Sequence, residues 1–213
     1  MVDVVLPVLD EAFALPWVLD RMPATARAIV VDNGSRDGSA AIATALGARV
    51  VHEPRRGYGA ACATGLRAAS ADVVCFMDAD GSLDPVDVMR LVAVLDRGAD
   101  LVVGARVPAP GAMPWHGRVA NRAVIAELRR RGGPRVSDLG AMRAARREAL
   151  LALGVRDRRF GWPAEILVRA GRAGWSVREV PVAYRPRRGG RSKVTGSLRG
   201  GLLAAHDLRA AMR

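Results

Sequence analysis

The chain has 213 residues, half of them hydrophobic and a quarter charged, with 33 Lys and Arg against 21 Asp and Glu for a formal net charge of +12. This composition excludes a disordered chain and suits one substantial α/β domain, expected to span residues 1–213. No stretch approaches the roughly 18 uninterrupted apolar residues of a membrane span, and MVDVVLPV lacks the pattern of a secretion signal, so a cytoplasmic protein is expected.

The first half alternates apolar β-type runs with helical patterns. VDVVLPV predicts a strand and residues 10–22 a helix. AIVVD predicts a second strand, followed by the turn NGSRDGS and an Ala-rich helix to about residue 46. ARVVHE predicts a third strand, residues 57–69 a helix, and DVVCFMD a fourth strand. Asp84 is placed to cap the next helix, with Pro85 in its first turn, and DLVVGAR predicts a fifth strand. Strands separated by helices point to a mostly parallel sheet covered by helices on both faces. The regularity then breaks at the Pro/Gly loop VPAPGAMPW. A helix over 116–131 follows, then a short strand or turn and a helix within RVSDLGAMRAARREALLALG. A helix over 163–173 and a β-run, SVREVPVAY, precede the Gly/Arg-rich RPRRGGRSKVTGSLRG and a last helical stretch over 198–213. No internal repeat and no interdomain linker is visible.

In an open parallel sheet, ligands sit beyond the carboxyl ends of the strands. Acidic residues fall at three such ends: Asp10 and Glu11, Asp32, and the pair Asp78 and Asp80. A capped turn accounts for Asp84-Pro85. It accounts less well for Asp78, which continues an apolar strand where an unpaired charge is costly. A hard divalent cation, Mg²⁺ or Mn²⁺, held by the two carboxylates resolves that cost. GYGAAC approximates a dinucleotide fingerprint, but EPRR separates it from its strand and Cys62 holds the third glycine's position. Gly57 and Gly59 read instead as giving close backbone approach in a basic loop, with Arg55 and Arg56 available to phosphate oxygens. Cys62 and Cys75 follow no metal spacing and read as core thiols, and His52, His116 and His206 show neither triad nor metal spacing.

Taken in order, LPVLDEA, VVDNGSRDGS, RRGYGAACATGLRAA and FMDADGSLDP resemble the family-2 glycosyltransferases of the GT-A fold. Further along, GARVPAPGAMPWHGRVANR, VSDLGAMRAARREALLALG, FGWPAEILVRA and GGRSKVTGSLRG are similar to the bacterial relatives of dolichyl- and polyprenyl-phosphate mannose and glucose synthases. The resemblance covers nearly the whole chain. It implies a Rossmann-like GT-A domain, with 1–106 as nucleotide-sugar-binding half, 107–186 as acceptor-binding half and 187–213 as basic loop and C-terminal helix. It also implies a UDP- or GDP-hexose donor and a divalent metal on Asp78 and Asp80. Pro7, Asp10 and Glu11 match the element lining the nucleotide pocket, with Asp10 in place of the usual Asn. Asp32 matches the acid that hydrogen-bonds the base, Gly34, Ser35 and Asp37 shape the adjoining loop, and Arg56, Gly57 and Ala79 complete the donor side. The acceptor side would comprise Arg106, Arg118, Arg143 and Trp162, with Arg191, Ser192 and Lys193 of the tail motif folding over the substrates. Asp80, Arg143 and Glu165 make up the implied catalytic set. DLGAMRA departs from the usual D-x-x-S/P-G/F-F-R, although Arg143 matches its arginine.

Elementary chemistry agrees with this set. Glycosyl transfer builds negative charge on a departing diphosphate, where a metal and arginines are useful. A phosphate-monoester acceptor is already ionised and needs positioning more than deprotonation, which suits a chain rich in Arg and poor in His. Glu165 reads either as general base for a hydroxyl acceptor or as a carboxylate favourably placed at a helix N-terminus. Arg187 and Arg188 read as a solvated basic loop, and Arg191 to Lys193 as a segment closing on phosphates. The last helix, with Leu202, Leu203, Leu208 and Met212 beside Arg199, Arg209 and Arg213, reads as packed on the domain or, second, as touching anionic lipid at the inner face of the plasma membrane. The expectation is therefore an inverting, metal-dependent transfer of glucose or mannose onto polyprenyl phosphate. The alternative is a soluble small-molecule acceptor. An alternative of another class, a basic nucleic-acid-binding module, is disfavoured by an aromatic content of 4% and by the lack of a docking motif. Oligomeric state is left open.

Overall fold

The computed structural model describes residues 1–189 and Ala210. Arg191, Ser192 and Lys193, and all of the final helical stretch but Ala210, lie outside the described residues. Among the described residues, seven strands form one sheet: β1 (Val2–Val8), β2 (Ala26–Asp32), β3 (Arg49–His52), β4 (Val73–Met77), β5 (Leu101–Pro108), β6 (Met142–Arg146) and β7 (Val177–Tyr184). Their order is β3-β2-β1-β4-β6-β5-β7. Every neighbouring pair is parallel except the two that β6 makes, with β4 and with β5. The expected mostly parallel α/β fold is borne out.

Among the described residues, seven helices cover the sheet: α1 (Leu15–Asp20), α2 (Ser39–Ala45), α3 (Tyr58–Ala68), α4 (Val88–Leu95), α5 (Trp115–Arg130), α6 (Arg147–Ala152) and α7 (Trp162–Arg172). Strand alternation sorts the core into two layers. Val5, Val31, Phe76 and Val103 pack with Leu66, Leu128, Leu150 and Ile166 of α3, α5, α6 and α7. Val4, Leu6, Val30, Cys75 and Met77 pack with Leu15, Ala43 and Leu91 of α1, α2 and α4. Covered on both faces, β4 is buried along its whole length, which is why VVCFM has no polar position. Cys62 and Cys75 are free and buried, and burial pushes both thiols up, so they are inert core groups as expected.

Two local expectations change and a third narrows. The helix expected over residues 10–22 begins only at Leu15, with Pro16 in its first turn. Asp10 has a left-handed φ of 54°, off the helical path. The N–H groups of Asp10, Glu11 and Ala12 are taken by Ser35 Oγ (3.0 Å), Ser39 Oγ (2.9 Å) and the Asp37 carboxylate (2.9 Å). The helix expected from Pro85 opens as a 3₁₀ turn, Pro85–Asp87, before α4, and Asp84 caps it by accepting the Val86 N–H at 3.3 Å. The segment read as strand or turn is β6, running against its neighbours. Pro7 is tolerated inside β1 because pairing with β4 ends at Val5↔Phe76 while pairing with β2 continues to Val8↔Asp32. Its missing N–H therefore falls beyond the β4 ladder.

Candidate active site

All strands but β6 point the same way, so one edge of the sheet collects the loops after β1, β2, β4, β5 and β7. The loops after β1 and β2 are knitted together. Ser35 N–H donates to Asp32 Oδ1 at 3.0 Å, Ser35 Oγ accepts the Asp10 N–H, and Asp10 Oδ1 accepts the Arg36 N–H at 2.8 Å. Asp32 is buried, which alone would push its carboxyl up. The bonds from Ser35, His52 and Gly34 outweigh burial and hold it below the ordinary carboxylate range. The Arg56 guanidinium lies against Gly34, whose φ is 86°. Asp10, Glu11, Asp32, Gly34, Ser35 and Arg56 are thus brought together at one edge. Pro7 sits at the same end of β1.

The loop after β4 carries the acidic pair. Asp80 is 5% exposed; its Oδ1 accepts the Ser82 N–H at 2.9 Å and its Oδ2 pairs with Arg187 Nη1 at 2.8 Å. The other side of that guanidinium meets Glu11, Nη2 to Oε1, at 2.5 Å. Asp78 shares the sheet face of Phe76 by alternation. Burial and the charge of Asp80 push its carboxyl well up, and the guanidiniums of Arg106, Arg143 and Arg187 pull it only partly back. Two carboxylates that repel each other at a strand end form a hard-oxygen donor set. No cluster of three or more metal-ligating side chains forms among the described residues. Such a pair still fits Mg²⁺ or Mn²⁺, since Mg²⁺ commonly takes one or two carboxylates and completes its shell with water and phosphate oxygens.

Other expected positions turn out differently. Ala79 packs its side chain in the core, so only its main chain is available to a ligand. Gly57 and Gly59 do give close approach, but to the chain itself. A Cβ at Gly57 would run into the Arg158 carbonyl oxygen, and one at Gly59 would lie 2.8 Å from the Asp157 carbonyl oxygen and 2.9 Å from Trp162 Cβ. The N–H groups of Gly59 and Ala60 donate to the carbonyls of Arg159 and Arg158 at 2.9 Å. The start of α3 is therefore capped by protein and not open to a phosphate.

Of the residues expected on an acceptor side, Trp162 is buried in the core, its ring 4.8 Å from Phe76 and 6.5 Å from Tyr58, at odds with the expectation that it contacts the acceptor. Arg106 is committed to Asp138 through Nε (2.7 Å) and Nη2 (2.6 Å) and stacks near the Tyr184 ring, so it holds the loop before β6 to the end of β5. Arg118 is exposed on the first turn of α5. Arg143, 1% exposed and opposite Phe76 in the ladder, donates from Nη2 to the carbonyls of Leu139 and Gly140. Its Nε and Nη1 are buried without a hydrogen-bond partner among the described residues. It acts on Asp78 as a fixed charge on the same sheet face, and does not stand open to an acceptor. Glu165 is 4% exposed and accepts the N–H of Arg156 (3.0 Å), the N–H of Asp157 (2.6 Å) and Arg169 Nε (2.6 Å). Of the two readings left open for Glu165, these contacts accord with the structural one: the carboxylate anchors the loop that caps α3.

Sequence reading missed four contributors. Asn33 donates to the carbonyls of Glu53 and Arg55 and accepts the Gly57 N–H, each at 2.8 Å, setting the course of the basic loop. Asp138 pairs with Arg106. Tyr184 ends β7 beside the pair, its phenol pushed up by burial and by Asp80 and Asp78. Arg187, read as solvated, is the counter-ion of Asp80 and Glu11.

Comparison with known proteins agrees with this architecture. The sequence model of the family described as "Glycosyl transferase family 2" matches residues 4–154. A protein named an uncharacterized glycosyltransferase in Mycobacterium tuberculosis is 54% identical over 207 residues, covering 97% of this chain and 95% of that one. The polyprenol monophosphomannose synthase of Mycolicibacterium smegmatis is 33% identical over 215 residues, covering 91% of this chain and 81% of its own. Among solved structures, glucosyl-3-phosphoglycerate synthase from Mycobacterium tuberculosis in complex with Mn²⁺, UDP-glucose and phosphoglyceric acid superposes with a TM-score of 0.77 at 26% identity, over 100% of this chain and 79% of that one. With the acidic pair at the end of β4 and a family match over most of its length, the chain belongs to glycosyl transferase family 2.

Proposed function

We propose that the chain transfers glucose or mannose from a UDP- or GDP-sugar to a polyprenyl phosphate, using Mg²⁺ or Mn²⁺ at Asp78 and Asp80. The observation that carries this reading is the carboxylate pair beyond β4, already balanced by a guanidinium 2.8 Å from Asp80. A bound divalent ion would supply the positive charge that stabilises a departing diphosphate. Asp32, held ionised, would accept an N–H of the base, while Pro7, Asp10, Glu11, Gly34, Ser35 and Arg56 line the nucleotide. The acceptor phosphate oxygen attacks the anomeric carbon as the bond from that carbon to the donor phosphate breaks, which inverts the configuration. That oxygen is ionised at neutral pH, so alignment replaces deprotonation. The full engagement of Glu165 by main-chain donors accords with a reaction that needs no base.

In this reading, residues 1–106 carry the donor and residues 107–186 the acceptor, with Arg191, Ser192 and Lys193 following. A lipid phosphate is supported by the relative named for a polyprenol product and by α5. There Trp115 is 76% exposed, with Val119, Arg118 and Arg122 also exposed, an apolar and cationic surface suited to a lipid headgroup region. No helix of the described residues is long and apolar enough to cross a membrane. A second reading, a soluble phosphorylated acceptor, is favoured by the likeness to a structure holding phosphoglyceric acid.

The test incubates the chain with radiolabelled UDP-glucose or GDP-mannose, with and without Mn²⁺, and offers polyprenyl phosphate or 3-phosphoglycerate. Metal-dependent label in the lipid extract supports the proposal, and label only in the aqueous phosphate moves the acceptor to the second reading. Transfer that ignores metal removal overturns the role given to the pair.

A further inference from the structure

The segment after β7, residues 185–189, turns back across the acidic loop and is fastened to it. The Arg185 N–H donates to the Ser82 carbonyl at 2.9 Å and the Arg188 N–H to the Asp80 carbonyl at 3.0 Å. The Arg185 guanidinium reaches Asp84 at 3.2 Å. The Arg188 guanidinium stacks 4.2 Å from the Trp17 ring centroid while its stem crosses Gly81, a position without a Cβ and with φ 74°. Held at both sides, Arg187 lays its guanidinium between Asp80 and Glu11, carboxylates of two different loops, at 2.8 and 2.5 Å. Its Nε turns to the Gly189 carbonyl at 3.4 Å.

We propose that Arg187 is the resident cation of the donor-free site, and that a divalent ion enters at Asp78 and Asp80 efficiently only in company with a nucleoside diphosphate that draws the guanidinium away. The inference rests on the proposed metal role of that pair and adds the order in which the site fills. A free ion must displace an intramolecular competitor that two main-chain bonds hold at high effective concentration. It gains two carboxylates in return, short of the six oxygens that Mg²⁺ requires. A diphosphate shifts the balance twice. It contributes oxygens to the ion's shell, and it offers the planar guanidinium an anionic partner as good as the one it leaves. Metal and nucleotide then bind with positive coupling, equal in both directions by linkage.

Mn²⁺ binding to the full chain, followed by the electron paramagnetic resonance of the free ion, reads this without turnover. Titrations with Mn²⁺ alone and with UDP or GDP present would compare wild type, Arg187→Ala, Arg187→Gln and Asp80→Asn. In the wild type, the cognate nucleotide tightens Mn²⁺ by about tenfold or more, consistent with loss of a charge-assisted competitor. Arg187→Ala tightens Mn²⁺ alone by a similar factor and shrinks the effect of nucleotide. Arg187→Gln, which is shorter but keeps the stem and a neutral hydrogen-bonding amide, does the same and covers the case in which the alanine variant fails to fold. Equal affinity for Mn²⁺ alone in wild type and in the folded Arg187 variants overturns the inference and leaves the metal pair standing. Failure of Asp80→Asn to weaken Mn²⁺ in the presence of nucleotide overturns the metal pair itself, and the inference with it.

Discussion

Replacing Glu165 with glutamine separates a carboxylate that builds a loop from one that moves a proton. Oε1 accepts the Arg156 N–H at 3.0 Å and Arg169 Nε at 2.6 Å, and Oε2 accepts the Arg156 N–H at 3.0 Å and the Asp157 N–H at 2.6 Å. Glutamine keeps the shape, loses the charge and turns one acceptor into a donor facing main-chain donors. Hydrogen bonds to a charged group contribute roughly 1.5–3 kcal/mol each, and the Arg169 pair counts at the low end because that arginine is about a third exposed. Loss of the equivalent of two such bonds costs about 3–5 kcal/mol, which for a chain of this size lowers Tm by on the order of 10 °C. Urea unfolding and thermal melts measure that loss. Assayed well below its transition, the folded variant keeps kcat within about threefold of wild type, with the acid limb of its pH profile unmoved. Loss of a general base would instead cost roughly 10²–10⁴ in rate. A variant that melts within about 2 °C of wild type yet loses a hundredfold in kcat refutes the structural assignment.

Asp80→Asn is expected to lower metal-dependent transfer by about 10²–10³ at saturating donor, with an unchanged far-ultraviolet dichroism spectrum. Gly57→Ala is expected to cost at least about 2 kcal/mol in urea unfolding, since its φ is 144° and the Arg158 carbonyl leaves no room. Gly59→Ala costs about 1–3 kcal/mol despite the helical preference for alanine, so a stabilised variant would contradict the packing described. Burial alone would push Asp3 up, but the N–H groups of Ala71 and Ser70 and the Arg27 guanidinium hold it below its ordinary value of 3.8. A lowered folded pKa stabilises above the unfolded value and loses that contribution as pH falls through the folded one. The Asp3 contribution, read as the difference in unfolding free energy between wild type and Asp3→Asn, should therefore be level above about pH 5 and shrink below about pH 4.

The elements that period and punctuation define were legible from residues alone. β1, β2, β4 and β5 follow apolar runs closed by Asp or Gly, β3 a short one closed by His52, Glu53 and Pro54, and the acidic pair stands out because charge follows VVCFM without a break. What stayed hidden depends on partners distant in sequence. The residues before α1 look helical until the serines and Asp37 of the next loop take their N–H groups. Gly57 and Gly59 show that backbone must approach something, but that something is a loop a hundred residues on, as easily a chain as a phosphate. Glu165 and Trp162 sit in a motif that invites a catalytic reading for the one and an acceptor-binding reading for the other, and their burial and packing partners are set by tertiary structure. Arg187 is one of 32 arginines, and nothing in composition marks the one that neutralises Asp80.

The reversed strand has a consequence for anyone dividing the chain. β5 reaches the first four strands only across β6, which arrives in sequence after residue 141. A fragment truncated after Arg106 would leave Val73–Met77 as a bare, wholly apolar sheet margin, a template for self-association. Nascent chains face the same hazard until Met142–Arg146 is made, so the first four strands depend on a latecomer for their solubility.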